Sequence, residues 1–308
     1  MARGLLVVWW VSALVFLALR LTPGNPALLL LGPEARRPGV AHQLVLLERQ
    51  LGLGRPIPVQ YWLWLKPLLE GKFGNSDLSG RPVVSLIGGA APPTLWLIGL
   101  SVLLSVPIAI GLGVVAARFR SSVLDRGVRF VSTLGLAVPP FWLGLLLLLG
   151  LAVDAAVLPA NGYVSPLTNF GGFITHMVMP VTTLTLYLVA VLTRFVYSEV
   201  TESLAADYVR TARAMGLSEM KVVFWNAARN ALIPMVSILA ASLGPLVGGA
   251  VLVEQVFGLG GLGELLLNSV VDRDYAVVQG IVIFLTIGII VLQGLADVVY
   301  RRLDPRVR

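Results

Sequence analysis

The sequence predicts an all-α polytopic membrane protein with six transmembrane helices, on the basis of its composition and of the length of its apolar runs. Of the 308 residues, 57% are hydrophobic and 13% are charged, and the mean hydropathy is +0.87. Soluble domains carry about 25% charged residues. A helix of roughly 20 apolar residues crosses a hydrocarbon core of roughly 30 Å. Six runs have this length, at 4–21, 94–117, 131–153, 174–196, 233–256 and 277–299.

The first 93 residues divide into one span and one extracytoplasmic segment. We expect 1–21 to be an uncleaved first transmembrane helix, because its apolar core is long and no small-x-small cleavage site comes before Arg20. In the segment 22–93, "TPGNPA" (22–27) predicts a turn. Residues 42–52 and 59–71 predict two short helices, the first stopped by Gly52. We expect the second helix, with Tyr61, Trp62 and Trp64 as interfacial aromatics, to lie along the membrane and the whole segment to cap the spans.

The placement of Lys and Arg predicts that both termini are cytoplasmic. Basic residues crowd the links after spans two and four and the tail at 301–308, whereas the link at 257–276 has only Arg273. The positive-inside rule therefore orients the chain. The segment 22–93 opposes this with seven basic residues, but long loops follow the rule weakly. The net charge of +7 thus reflects membrane topology, and we expect no nucleic-acid partner.

Residues 94–300 are predicted to form a core of five helices. Four of these spans contain proline, at Pro107, at Pro139 with Pro140, at Pro180 and at Pro245. Proline frees a backbone carbonyl that protein or water must satisfy inside a bilayer, so we expect these spans to surround a shared cavity. We expect Gly244 and Gly248 to allow close helix packing.

No catalytic, cofactor or metal site is predicted in the chain. The sequence lacks cysteine, a phosphate-binding loop and a zinc-binding histidine pair, and its two histidines, His42 and His176, lie far apart. "GLGGLG" (258–263) fits a dinucleotide fingerprint but follows a membrane span, so it is interpreted as a glycine-rich turn. The few charges near span ends, Glu254 among them, are interpreted as interfacial anchors. Energy for uphill transport would then enter through a partner.

The link between spans four and five predicts a cytoplasmic knob. Val196, Val200, Leu204 and Tyr208 recur every four residues and predict a helix that continues out of the membrane. Gly216 offers a left-handed end to that helix, and Ser218 is a suitable N-cap for a second one. The knob either docks on a soluble partner or is a solvated loop.

The stretch "DYVRTARAMGLSEMKVVFWNAARNALIP" (207–234) resembles the cytoplasmic EAA loop of bacterial ABC importer permeases, in the dipeptide/oligopeptide/nickel branch. "LRLTPGNPA" (19–27), "FGNSDLSGRPV" (73–83), "VPPFWLGLLLLL" (138–149) and "VEQVFGLGGLGELL" (253–266) are similar to the family in the same order. The first-of-pair permease, the DppB/OppB type, is the best match. The glutamate and two alanines of the general signature align here with Arg210, Thr211 and Ala212, so the glutamate and the first alanine are replaced and the second alanine is kept.

The resemblance implies a type I ABC importer permease fold in the inner membrane of a prokaryote. It implies four kinds of partner: a sister permease, two ATP-binding subunits that hold ATP with Mg, an extracytoplasmic substrate-binding protein, and the lipid bilayer. The coupling loop would be 198–232, and its ATPase-coupling residues would be Arg210, Thr211, Ala212, Arg213, Ala214, Met215, Gly216, Leu217 and Ser218.

The substrate implied by the resemblance is a dipeptide or oligopeptide, with nickel chelates, glutathione or another solute as alternatives. An ATP-independent channel or secondary carrier is the competing class, and an intramembrane enzyme is a third. On the outer face, we expect docking of the binding protein to involve Trp62, Arg81, Asp272 and Asp274.

Overall fold

Helices dominate the computed structural model, which describes residues 2–21, 41–50 and 54–303. No β-strand occurs in these ranges beyond an isolated bridge between Asn75 and Pro82. The turn predicted at 22–27, Gly52 and the tail from 304 lie outside the described residues. In chain order the helices are α1 (Ala2–Leu21), α2 (Ala41–Gln50), α3 (Ile57–Leu69), α4 (Val83–Arg118), α5 (Val123–Ala137), α6 (Pro140–Leu147), α7 (Phe170–Ala205), α8 (Asp207–Ala214), α9 (Glu219–Lys221), α10 (Ala228–Phe257), α11 (Leu262–Val271) and α12 (Tyr275–Leu303).

Five of the described helices are long and apolar enough to cross a membrane: α1, α4, α7, α10 and α12. They contain five of the six predicted spans and extend further than the apolar runs. Helix α4 begins at Val83, eleven residues before the run starts, and α7 continues to Ala205. The short helices predicted at 42–52 and 59–71 correspond to α2 and α3.

The sixth predicted span, 131–153, is not one straight helix. Helices α5 and α6 meet at an angle of 100°, and α6 continues as a π-helical segment, Leu148–Asp154. Val138 and Pro139 between them have extended backbones, with ψ of 120° and 135°. A residue before proline avoids the helical conformation, and two consecutive prolines remove two backbone donors. The pair is therefore either a broken span or a re-entrant loop.

One compact unit comprises Met1–Ala91 and Leu265–Ile290. In it, α3 packs on α1 through an aromatic cluster: the Phe16 ring lies 5.4 Å from that of Tyr61 and 5.6 Å from that of Trp64. The hydroxyls of Ser12 and Tyr61 are 2.7 Å apart. Thus two of the three predicted interfacial aromatics hold a helix to the first span.

The other unit comprises Pro92–Glu264 and Val291–Arg308, and α7 is its central helix. Of the most apolar window of α7, 56% is buried, with Leu184, Leu188 and Leu192 fully enclosed. Close helix contacts occur where α4 and α5 present glycine to α7. A Cβ atom on Gly135 would lie 2.7 Å from that of Ala190.

The predicted close packing at Gly244 and Gly248 was wrong for this chain, since open space surrounds both positions.

Single-cysteine labelling tests whether the bent pair crosses the bilayer. Because the sequence has no cysteine, Arg120→Cys before α5 and Leu167→Cys after α6 each introduce one thiol at an exposed position. We expect a membrane-impermeant maleimide to label the two from opposite sides in sealed vesicles of defined orientation. Labelling from the same side would instead identify a re-entrant loop and place the two termini on opposite faces.

Candidate functional site

The predicted knob comprises α8, the turn at Gly216 and the segment from Ser218 to Ala227. It begins where the long helix α7 ends. Ala206 has an extended backbone, with ψ of 152°, which separates α7 from α8. Val209 and Ala212 form the inner face of α8 and pack with Val222 and Leu204 in a small apolar cluster. The predicted stripe is therefore correct through Leu204, whereas Tyr208 lies beyond the break and is 43% exposed.

Gly216 makes the turn after α8, as the sequence predicts. Its φ is +78°, in the left-handed region where a side chain is strained. The Gly216 N–H donates to the Arg213 carbonyl at 2.9 Å, and the Leu217 N–H donates to the Ala212 carbonyl at 3.2 Å. This pair of bonds is a Schellman motif, which satisfies carbonyls at the helix end.

The second arm of the knob, from Ser218 to Ala227, is an irregular helix. The first arm is α8. Ser218 occupies the N-cap position with an extended backbone, but its hydroxyl makes no capping hydrogen bond. Helix α9 has three residues and passes into a π-helical segment, Val222–Ala227, before α10. π-Helical segments occur often at functional sites. The second helix predicted after Ser218 is therefore present, and its winding changes to π-helical at Val222.

An ion pair joins the two arms across the turn. The Arg213 Nε lies 2.8 Å from Glu219 Oε1, and Arg118 Nε lies 4.0 Å from Glu219 Oε2. The hydrogen bond from Arg213 holds the pKa of Glu219 below its ordinary value. The carboxylate therefore stays ionised, and it pairs with a guanidinium rather than with backbone donors.

The outer surface of the knob combines apolar side chains with a charged margin. Of the nine predicted coupling residues, 210–218, all but Ala212 are exposed. The exposed apolar side chains of the two arms are Met215, Leu217, Met220, Phe224 and Trp225. Apolar patches rimmed by polar groups are typical of surfaces that bind another protein.

A second site, Glu254 near the end of α10, was predicted wrongly from the sequence. The carboxylate is fully buried rather than interfacial. It accepts a 2.6 Å hydrogen bond from the Thr94 hydroxyl, and bonds from the backbone N–H groups of Gly263 at 2.7 Å and Glu264 at 3.3 Å. The Leu262 N–H donates to Thr94 Oγ1 at 2.8 Å. The carboxylate thus joins α4, α10 and the start of α11.

The "GLGGLG" motif is the turn that encloses this carboxylate. Gly258 and Gly260 have positive φ of 53° and 66°. A Cβ atom on Gly261 or Gly263 would collide with the Glu254 carboxylate. The interpretation as a glycine-rich turn is confirmed, and the close approach explains why glycine is needed there.

The predicted outer docking residues separate into two groups. Trp62, Arg81 and Asp272 are exposed. Asp274 is buried and accepts hydrogen bonds from the Ser76 hydroxyl and the Asp77 N–H. Its carboxylate makes these hydrogen bonds inside its own unit and is not exposed to a docking protein. This corrects the prediction for Asp274.

No group of three or more potential metal ligands of the His, Cys, Asp and Glu types comes together in the part of the chain that the structure describes. His176 instead has its Nδ1 2.7 Å from the Gly172 carbonyl.

Two family models match most of the sequence. Residues 109–308 match the family described as binding-protein-dependent transport system inner membrane component, and residues 1–84 match its N-terminal region. The chain belongs to this family. The prediction of an ABC importer permease of the DppB/OppB type is thereby confirmed.

Several curated relatives are similar over nearly the full length. A probable peptide ABC transporter permease of Sinorhizobium fredii is 34% identical over 98% of this chain and 95% of its own. A putative peptide transport system permease of Brucella abortus is 37% identical over 100% and 96%. The glutathione transport system permease GsiC of Salmonella typhimurium is 39% identical over 97% and 94%.

Solved structures show the same fold. The chain is similar to the inward-facing MetNI methionine ABC transporter, with a TM-score of 0.60 and 19% identity over 72% of this chain and 97% of that one. An amino acid ABC transporter gives a TM-score of 0.50 and 17% identity over 71% and 94%. The predicted all-α permease fold is confirmed.

Removing the Thr94 hydroxyl tests the buried junction. In Thr94→Val the Leu262 N–H loses its acceptor and Glu254 loses a donor, and an orphaned buried polar group costs about 1–3 kcal/mol. We expect a lower melting temperature for the detergent-solubilised permease. Thr175→Val is the matched control, because its exposed hydroxyl donates only to the Gly172 carbonyl within its own helix. Equal melting temperatures for the two variants would contradict a stabilising junction.

Proposed function

We propose that this permease imports peptides as one half of a heterodimeric translocation path. The observation that carries the proposal is full-length similarity to peptide permeases, at 34% and 37% identity. Glutathione is the second candidate, because a glutathione permease is 39% identical over 97% of the chain. Glutathione is itself a small peptide, so the two candidates share amide and carboxylate chemistry.

The proposed partners are a sister permease, two ATP-binding subunits and an extracytoplasmic substrate-binding protein. ATP and Mg would be held by the ATP-binding subunits. The proposed location is the inner membrane of a prokaryote, with both termini cytoplasmic. Support comes from the family itself, which is described as binding-protein-dependent.

The proposed coupling element is the knob, and in particular the turn Ala212–Ser218. Its exposed apolar residues would enter a groove on an ATPase subunit, while Val209 and Ala212 hold the turn to its base from inside. Closure of the ATPase pair would then shift the permease between inward- and outward-facing states. The Arg213–Glu219 pair supports this role, because it keeps the two arms at a fixed separation.

Transport by the assembled complex tests both substrate and coupling. We expect the permease, reconstituted with its sister, ATPase and binding-protein subunits, to take up labelled peptides only with ATP. Uptake of labelled glutathione, measured in parallel, tests the second candidate. Uptake that is independent of ATP would instead support the competing class, a channel or a secondary carrier.

Gly216→Val tests the knob itself. A side chain in the left-handed conformation costs about 1–2 kcal/mol, which corresponds to roughly a 5–30-fold shift in an equilibrium. We expect normal insertion, continued ATP hydrolysis and uptake per ATP reduced by a similar factor. Gly294→Val is the control, because this exposed helical glycine has open space around it and no positive φ. Normal coupled uptake by Gly216→Val would reject the proposed role.

We also propose that the extracytoplasmic segment 22–93 receives the binding protein. Trp62 and Arg81 in this segment, and Asp272 in the following outer link, are exposed and combine aromatic and charged contacts. Asp274 supports the surface indirectly, because it anchors the turn after Asn75 through Ser76.

Site-specific crosslinking tests this docking surface. We expect a photoreactive residue at Trp62 or Arg81 to crosslink to the binding protein during substrate and ATP cycling. The same probe at Val299, an exposed apolar position near the other end of α12, is the control. Reproducible failure at both outer positions, with cycling demonstrated, would count against the surface.

A further inference from the structure

A cavity of about 590 Å³ lies within the unit formed by Met1–Ala91 and Leu265–Ile290. The last two turns of α1, the second half of α3, the loop at 72–78 and residues 272–279 at the start of α12 line it. Helices α1 and α12 run antiparallel, since Gly4 near the start of α1 lies against Ile290 in the middle of α12, whereas Arg20 and Tyr275 line the same cavity. Because both helices are long and apolar enough to cross a membrane, and the cavity lies at the end of one and the start of the other, we infer that it lies at the boundary between hydrocarbon and headgroups.

One wall of the cavity is apolar and firmly held. Phe16 and Leu19 of α1 and Leu63, Trp64 and Leu68 of α3 line it together. The aromatic cluster of Phe16, Tyr61 and Trp64 fixes the spacing of the two helices. This wall suits a hydrocarbon chain, because apolar surface removed from water contributes about 25 cal/mol per Å².

The rim of the cavity carries charges of both signs. Arg20 is half-buried, with its guanidinium 5.5 Å from the Phe16 ring centroid. Asp77 shares the rim, and partial loss of water raises the pKa of its carboxyl, as does the nearby Asp274, whereas the Ala276 N–H and Arg20 lower it. The Tyr275 hydroxyl is buried and has no hydrogen-bond partner.

The balance of these charges favours a zwitterionic guest over an anionic one. Three basic side chains line the cavity and two acidic ones oppose them: Arg20, Lys72 and Arg273, against Asp77 and Asp272. Glu70 lies 2.8 Å from Lys72 and neutralises it. The lining is therefore close to neutral and carries groups of both signs. A guanidinium and a phenol suit a phosphate, and a carboxylate suits an ammonium.

We propose that this cavity binds the headgroup of one phosphatidylethanolamine molecule, with Arg20 and the Tyr275 hydroxyl on the phosphate and Asp77 on the ammonium. One acyl chain lies along the wall of α1 and α3. The lipid then fills the space between the first span and the amphipathic helix α3, and it gives the Tyr275 hydroxyl a partner.

Native mass spectrometry of the full-length permease in mild detergent tests the site. We expect wild-type protein to retain one phosphatidylethanolamine in preference to phosphatidylglycerol. Arg20→Gln should reduce that retention at least tenfold, Arg20→Lys should restore part of it, and Tyr275→Phe should reduce it several-fold. Arg301→Gln is the matched control, because this exposed arginine is in the last turn of a span away from the cavity.

Three outcomes would overturn the proposal: equal retention by wild type and Arg20→Gln, equal retention of the two lipids, or no lipid on the wild type. Competition with a water-soluble headgroup analogue distinguishes lipid binding from binding of a free solute. Glycerophosphoethanolamine that displaces the lipid at equal concentration would show that the cavity recognises a soluble zwitterion instead. Unchanged size-exclusion elution of Arg20→Gln ensures that lost lipid does not reflect unfolding.

Discussion

The buried carboxylate of Glu254 is the interaction on which the Pro92–Glu264 part of the second unit depends. It faces the first turn of α11, whose free N–H groups are partial positive charges that favour an anion. Thr94 extends the junction to α4 by donating to Glu254 and accepting from Leu262. Removing a carboxylate from water is costly unless hydrogen bonds compensate. Three hydrogen bonds to the carboxylate supply that compensation, and together with the bond from Leu262 to Thr94 they connect three helices.

The knob is stabilised by three other kinds of interaction, which together fix its backbone. A Schellman motif satisfies the carbonyls at the end of α8, three small apolar side chains seal its inner face, and one ion pair closes the turn. The backbone of the turn is thereby determined without using the exposed apolar side chains. Those side chains stay available for a partner, which is what a coupling element requires of a surface only a few residues wide.

The sequence identified the spans, the family and the turn at Gly216, because each depends on local chemistry or on a contiguous motif. It identified Pro139 and Pro140 but not the 100° bend, since two missing donors show where a helix breaks and not the angle it takes. The sequence did not reveal the roles of Glu254 and Asp274, for a different reason. Their partners, Thr94 and Ser76, are 160 and 198 residues away along the chain. A charge near a span end looks the same in sequence whether it faces water or a buried ring of donors.

The length of α10 has a mechanical consequence. Its 30 residues extend over about 45 Å at 1.5 Å per residue. The N-terminal end of the helix adjoins the knob, and its C-terminal end carries the Glu254 junction, so a movement of the knob is transmitted along α10. Pro234 and Pro245 each remove one backbone hydrogen bond from this helix. The sequence thus sets two places where α10 can bend, one close to the knob and one about midway along its length.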